Sequence, residues 1–271
     1  MINHDYDRYG LTKLPFRNSP EKLFHDKNRE KAFVHLNYFI QHRGFCVVTG
    51  NAGVGKSALL REFCRSLHPK QVKILYIPFS MFGEFDMLCS LCYQLELETS
   101  LMKSHMLKKI RERIRELQPV NIIAVFDEVQ KIKHPSLEII RTMTNFDFDE
   151  KSYVSVIFSG TPEFLNLLRL RINEHLRQRI SMFISIGKLS RKDTFNYIKH
   201  CMKDAGVCHD IFSEQALNTI YELTEGIPRI INNICSATFA EAAVEQAQMI
   251  DISHVQNANK NINFNIKDIL K

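Results

Sequence analysis

The chain has 271 residues, 45% of them hydrophobic and 24% charged, with a formal net charge of +6, which suits a soluble globular protein of one large or two modest domains. The longest apolar runs, "IIAVF" and "VSVIF", fall far short of the roughly 20 residues a membrane span needs. The N-terminus "MINHDYDRYGLTKLPF" lacks the basic start and apolar core of a signal peptide, so a cytoplasmic protein with no membrane partner is expected.

In chain order, residues 1–30 are turn-rich and polar, with aromatic anchors at Phe16 and Phe24. "REKAFVHLNYFIQHR" has helix spacing, with Phe33, Leu36, Phe39 and Ile40 on one face. "FCVVTG" is a short buried strand and "GKSALLREFCRSL" a helix. "VKILYIPF" and "NIIAVF" are two more buried strands, separated by a helical segment from about 84 to 117. "SYVSVIFSG" is a further strand and "MFISIG" another. Buried β-branched strands alternating with helices argue for a parallel sheet covered on both faces.

After about residue 189 the strands stop. "SRKDTFNYIKHCMKDAGV", "SEQALNTIYELTEG", "PRIINNICSATFAEAAVEQ" and "DISHVQNANKNI" read as helices, with Ser190, Ser213 and Asp251 as N-caps and Glu225-Gly226 as a helix end. The expected organisation is an N-terminal segment (1–30), an α/β domain (31–189) and a small helical domain (190–271).

Seven scattered cysteines read as reduced thiols. Cys89 and Cys92 form a C-x-x-C without the second pair a zinc site needs, and on a helix they would share an apolar face with Leu88 and Leu91. Residues 188–271 carry nine Lys/Arg against ten Asp/Glu, which leaves 27 against 20, a net of +7, in residues 1–187. A nucleic-acid-facing surface would place the excess there, and so would a simple solubility bias.

"GNAGVGKS" fits G-x-x-x-x-G-K-[ST] between a buried strand and a helix. Gly50, Asn51, Ala52, Gly53, Val54 and Gly55 would wrap phosphates with backbone N–H groups, and the helix opening through Ala58 would add its positive end. Lys56 would reach the β and γ phosphates, and the Ser57 hydroxyl would ligate Mg²⁺. The strand "NIIAVFDE" ends in Asp127, which would orient the Mg²⁺ of ATP, and Glu128, which would polarise the attacking water. No N-K-x-D motif for guanine is present, and a small-molecule kinase would carry a substrate lid rather than a separate helical domain.

With these stretches in place, the sequence resembles the AAA+ ATPases, and within them the branch of secretion-type ExeA ATPases and transposon-borne TniB, TnsC and MuB-like ATPases. "YGLTKLPF", "GFCVVTGNAGVGKS", "NIIAVFDE", "FSGTPEFL", "LRQRI" and "GIPRIINNIC" carry the resemblance. It implies a P-loop NTPase sheet flanked by helices and followed by an all-helical lid. It also implies that Thr161 or Ser159 is the sensor 1 group, and that Arg179, or else Arg177, is an arginine finger completing a neighbour's site in a ring or helical filament. Pro228 would open a lid helix, and Arg229 would be a sensor 2 residue touching the γ-phosphate. One departure is "DEVQ", where these relatives more often have Asp-Glu-Ala-His, so the residue that couples behind the catalytic pair differs.

Two functions follow from the resemblance. One is a transposition accessory ATPase that oligomerises on duplex DNA and recruits a transposase or integrase. The other is an ATPase assisting a secretion or envelope assembly. The secretion members carry a membrane span and a peptidoglycan-binding region after the ATPase, and the chain ending at Lys271 is expected to favour DNA. The basic stretch from Lys103, with Lys108, Lys109 and Arg111, and Lys131 and Lys133 of "KIKHP", are the candidate DNA contacts. Acid–base pairing along a solvated helix face would explain the same charges.

Overall fold

A computed structural model describes residues 9–16, 23–78, 83–146, 152–207 and 209–262. They group into two compact units, one of Lys27–Ala52 with Lys56–Ile186, the other of Met1–Asp26, Gly53–Gly55 and Gly187–Lys271.

The first, α/β unit holds strands β1 (Gly44–Thr49), β2 (Val72–Pro78), β3 (Asn121–Asp127), β4 (Val154–Gly160) and β5 (Ile180–Ser185). They form one sheet in the order β2-β3-β4-β1-β5, every pair parallel. The expected parallel sheet flanked by helices is thus present. β4 lies between β1 and β3, so Thr49, Gly160 and Asp127 end side by side at the sheet's C-terminal edge, where nucleotide sites of open α/β sheets form.

Alternation along the strands sorts side chains to the two faces. Val47, Ala124, Phe126, Val156 and Phe158 meet Met87, Leu88 and Leu91 of α3 (Glu84–Gln94), Met106 and Ile110 of α4 (Lys103–Glu116) and Ile140 of α5 (His134–Thr144) in one core. Buried residues of α1 (Lys27–His42) and α2 (Lys56–Ser66) include Leu36, Phe39, Leu59 and Phe63, and the Phe33 and Phe63 rings meet edge-on, centroids 5.7 Å apart. Two short helices, α6 (Glu163–Arg169) and α7 (Glu174–Gln178), lead from β4 to β5.

The segment from about 84 to 117 is two helices rather than one. The chain leaves α3 through Glu96, whose φ of +61° is left-handed, and re-enters a helix only at Lys103. Cys92 of α3 is buried in the core, and the Cys89 thiol lies 4.0 Å from the Met106 sulfur. Cys208 lies outside the described residues.

The second, helical unit contains α8 (Arg191–Asp204), α9 (Glu214–Thr224), α10 (Pro228–Val244) and α11 (Ile252–Asn261), the helical region expected after the sheet. Ser190 Oγ accepts from the Asp193 N–H, Ser213 Oγ accepts from the Ala216 N–H, and Asp251 caps α11 with His254. α9 ends at Glu225 (φ +48°) and Gly226 (φ +74°), and a Cβ on Gly226 would sit 2.0 Å from the Leu189 carbonyl oxygen. Tyr9, Leu11 and Phe16 are buried in this unit's core: Tyr9 packs on Phe239, the Thr12 N–H donates to Ala205 O at 2.8 Å, and Lys13 pairs with Asp204. Among the described residues, no helix is long and apolar enough to cross a membrane.

Candidate nucleotide site

The loop after β1 is held to its neighbours by backbone bonds. Gly50 N–H donates to Gly160 O at 3.3 Å, and Thr49 O accepts from Ile186 N–H at 2.7 Å. Gly53 and Gly55 have φ of +80° and +99°, which residues with a Cβ avoid, and Val54 between them is buried. α2 then starts at Lys56 with no acidic residue in its first turn, so its positive end faces no carboxylate of its own. The Lys56 side chain is buried, and its Nζ donates to Gly50 O at 2.7 Å and Asn51 O at 3.1 Å. These carbonyls compensate a charge that would be costly to bury alone, and they hold the ammonium against the loop.

Asp127, at the end of β3, is 3% exposed. Its Oδ2 accepts from Ser57 Oγ at 2.7 Å and from the Tyr76 hydroxyl at 3.1 Å, and its Oδ1 accepts from the Glu128 N–H at 3.0 Å. Burial and then the Asp127 charge push the Tyr76 phenol up to about 12, so it stays a neutral donor. Ser57 and Asp127 therefore converge two hard oxygen donors at the foot of the loop, the donor set that suits Mg²⁺ beside phosphates.

Glu128 has φ +58° and ψ +35°, a left-handed conformation that starts a short 3₁₀ turn, Val129–Lys131. The Gln130 side-chain amide donates to Glu128 Oε2, and its oxygen accepts from the Thr161 N–H at 3.1 Å. The Thr161 hydroxyl donates to Glu163, which holds that carboxyl below its usual range. The Ser159 hydroxyl is fully buried and has no hydrogen-bond partner among the described residues. Of the two sensor 1 candidates, Thr161 stands beside the Glu128–Gln130 pair, whereas Ser159 is sealed within the strand.

The structure leaves the remaining candidates more dispersed. Arg177 is exposed and donates to Leu168 O and Arg169 O, while the half-buried Arg179 is held below the usual guanidinium range by burial and then by Arg141. Pro228 is the first residue of α10, and the exposed Arg229 follows it, its backbone N–H donating to Gly53 O at 3.2 Å.

The basic helix α4 is largely matched by acids. Lys103 pairs with Glu84, Lys108 with Glu112 at 3.9 Å, and Lys109 with Glu98 at 4.0 Å. Arg111 turns inward, donating to Asn145 O at 2.7 Å with its guanidinium over the Phe146 ring, so it is bound within the fold. Lys131 and Lys133 are exposed at the 3₁₀ turn and at the start of α5, close in sequence to Glu128.

Sequence reasoning missed Tyr76 and Gly160. Tyr76 could have been found as the hydroxyl-bearing residue of the apolar run "ILYIP", two positions before the end of β2, and its register partner in β3 is Val125, two before Asp127. Gly160 carries no signal beyond its place in "SGT".

Residues 40–168 match a family model described as AAA domain. General secretion pathway protein A of Aeromonas hydrophila is 33% identical over 86% of the chain, and the chain spans 44% of that protein's length. Among solved structures, Cdc6p of Pyrobaculum aerophilum superposes with a TM-score of 0.74 at 17% identity, covering 96% of this chain and 71% of that one. The Aeropyrum pernix ORC1 protein, solved in complex with DNA, gives 0.70 at 15% identity, covering 90% and 66%. With the parallel sheet, the phosphate loop and the helical region after them, the chain has the P-loop AAA+ fold, and the matches support an AAA+ ATPase.

Proposed function

We propose that the chain binds ATP with Mg²⁺ and hydrolyses it, and the observation that carries this is the 2.7 Å contact between Ser57 Oγ and Asp127 Oδ2 beneath the loop. The N–H groups of Gly53 to Ser57 and the start of α2 would hold the phosphates, with Lys56 against the terminal ones. Ser57 and Asp127 would hold the magnesium, which supplies neutralisation of phosphate charge when bound. Glu128 would accept a proton from water as its oxygen attacks the γ-phosphorus and ADP leaves. Arg229 would contact the γ-phosphate, and Arg179 or Arg177 would reach a neighbouring subunit's site in a ring or filament. Purified protein should release phosphate from ATP only with Mg²⁺. Turnover undiminished in Lys56→Ala would remove the proposal.

In the finer reading, this ATPase oligomerises on duplex DNA and recruits a transposase or integrase. The basic excess in residues 1–187, the exposed Lys131 and Lys133, and the likeness to an ORC1 protein solved with DNA support it. A second reading, an ATPase assisting a secretion or envelope assembly, is favoured by the 33% identity to general secretion pathway protein A. Because the chain matches less than half of that protein, the end at Lys271 weighs for neither. Sedimentation with a long duplex and a non-hydrolysable ATP analogue separates them. Nucleotide-dependent oligomers on DNA support the first, and free DNA beside protein that does not co-sediment removes it and leaves the second standing.

A further inference from the structure

We propose that Gln130 is a positioning residue for the catalytic carboxylate, tying Glu128 to the end of β4 through the two ends of one side-chain amide. The role rests on the ATPase reading above.

The chemistry of the partners orients this amide. The Thr161 backbone N–H, 3.1 Å away, can only donate, so it takes the Gln130 oxygen. The amide nitrogen is thereby turned to Glu128 Oε2, which in its ionised form can only accept. Glutamine presents both functions at opposite corners of one rigid group. A glutamate here would face a second carboxylate, and an alanine would leave the Glu128 oxygen and the Thr161 N–H without this bridge.

The backbone is shaped to admit the bridge. Glu128 occupies the left-handed region and opens the 3₁₀ turn, with the Lys131 N–H donating back to Glu128 O at 3.1 Å. That turn brings residue 130 back beside residue 128. On the other side, β4 ends in Gly160, where a Cβ would lie 2.8 Å from the Gln130 side-chain oxygen and 2.9 Å from Val129 Cγ2. The space Gln130 occupies exists because residue 160 has no side chain. β4 pairs with β1 through Gly160 opposite Thr49, the residue before the phosphate loop, so the bridge ends one residue past the strand beside that loop.

The orientation of Glu128 is therefore coupled to the β4 end at Thr161. Histidine can also donate from one ring nitrogen and accept at the other. It is the conservative replacement.

The test compares steady-state ATP turnover and fluorescent-nucleotide binding in wild type, Gln130→Ala and Gln130→His. Gln130→Ala should lose about 10- to 100-fold in kcat, the range typical of a positioning partner, with the nucleotide dissociation constant within about 2-fold of wild type. Gln130→His should recover most of that loss. Retained nucleotide binding also reports that each variant is folded. Undiminished kcat in Gln130→Ala, or parallel losses in binding and turnover, would overturn the positioning role while leaving the ATPase reading intact. Wild-type protein that binds ATP and never hydrolyses it would overturn both.

Discussion

The Ser57 hydroxyl and the Asp127 carboxylate, 70 positions apart in the chain, meet at 2.7 Å. One comes from the first turn of a helix and the other from the end of a strand two places away in the sheet, so their meeting is a product of the sheet order β3-β4-β1.

Because the two oxygens share one locus, their removal should not be additive. Ser57→Ala and Asp127→Asn should each weaken Mg²⁺-dependent nucleotide binding, and the double variant should fall short of the sum by about 1–3 kcal/mol. Magnesium titrations of fluorescent-nucleotide binding across the four proteins measure the coupling, and strict additivity would separate the two residues functionally.

The Lys56 ammonium donates to Gly50 O and Asn51 O, which holds it at the loop. Lys56→Ala should weaken ATP binding by about 10- to 100-fold, the cost of losing a charge-assisted contact. Equilibrium binding decides this, with circular dichroism to confirm that the fold survives.

Glu128→Gln should keep ATP bound and lower hydrolysis by about 10²- to 10⁴-fold, the contribution of a positioned proton acceptor. Phosphate release and nucleotide affinity, measured on one preparation, must diverge. A variant hydrolysing at the parental rate would place the base elsewhere.

Gly226→Ala should destabilise the helical unit by at least about 2 kcal/mol, since φ is +74° and the new methyl would meet the Leu189 carbonyl oxygen. Urea denaturation followed by circular dichroism reads the loss. A midpoint within error of wild type would mean that the α9–α10 link has a conformation alanine accepts.

If DNA is the partner, Lys131→Glu with Lys133→Glu should weaken duplex binding uniformly across sequences and reduce the salt dependence by about one unit per lost phosphate contact. Lys108→Glu with Lys109→Glu should do less, because Glu112 and Glu98 already offset those charges. Fluorescence anisotropy over a salt series compares them.

The five strands were legible because each is a short, nearly continuous apolar run, and Ser190, Ser213 and Asp251 announced helix starts through local hydrogen bonding. The phosphate loop and the Asp127-Glu128 pair were legible because their spacing is local. Less visible were the relations that need three dimensions. The break between α3 and α4 opens at a left-handed residue, Glu96, in a stretch whose composition still suits a helix. Tyr76 reaches Asp127 from a neighbouring strand, and Gly160 matters for the volume it leaves empty. The basic charges of α4 were readable, but their pairing to Glu84 and Glu98, outside the helix, was not.

Tyr9, Leu11 and Phe16 are buried with Ile198, Ile220, Ile234 and Val255 in one core. During synthesis the first of these partners therefore leaves the ribosome long before the last. At 5–20 residues per second the wait is on the order of ten seconds or more. The early aromatic segment must stay uncommitted while the entire sheet is made. A deletion at the beginning of the chain should therefore damage the last helices to be translated, leaving the strands between them less affected.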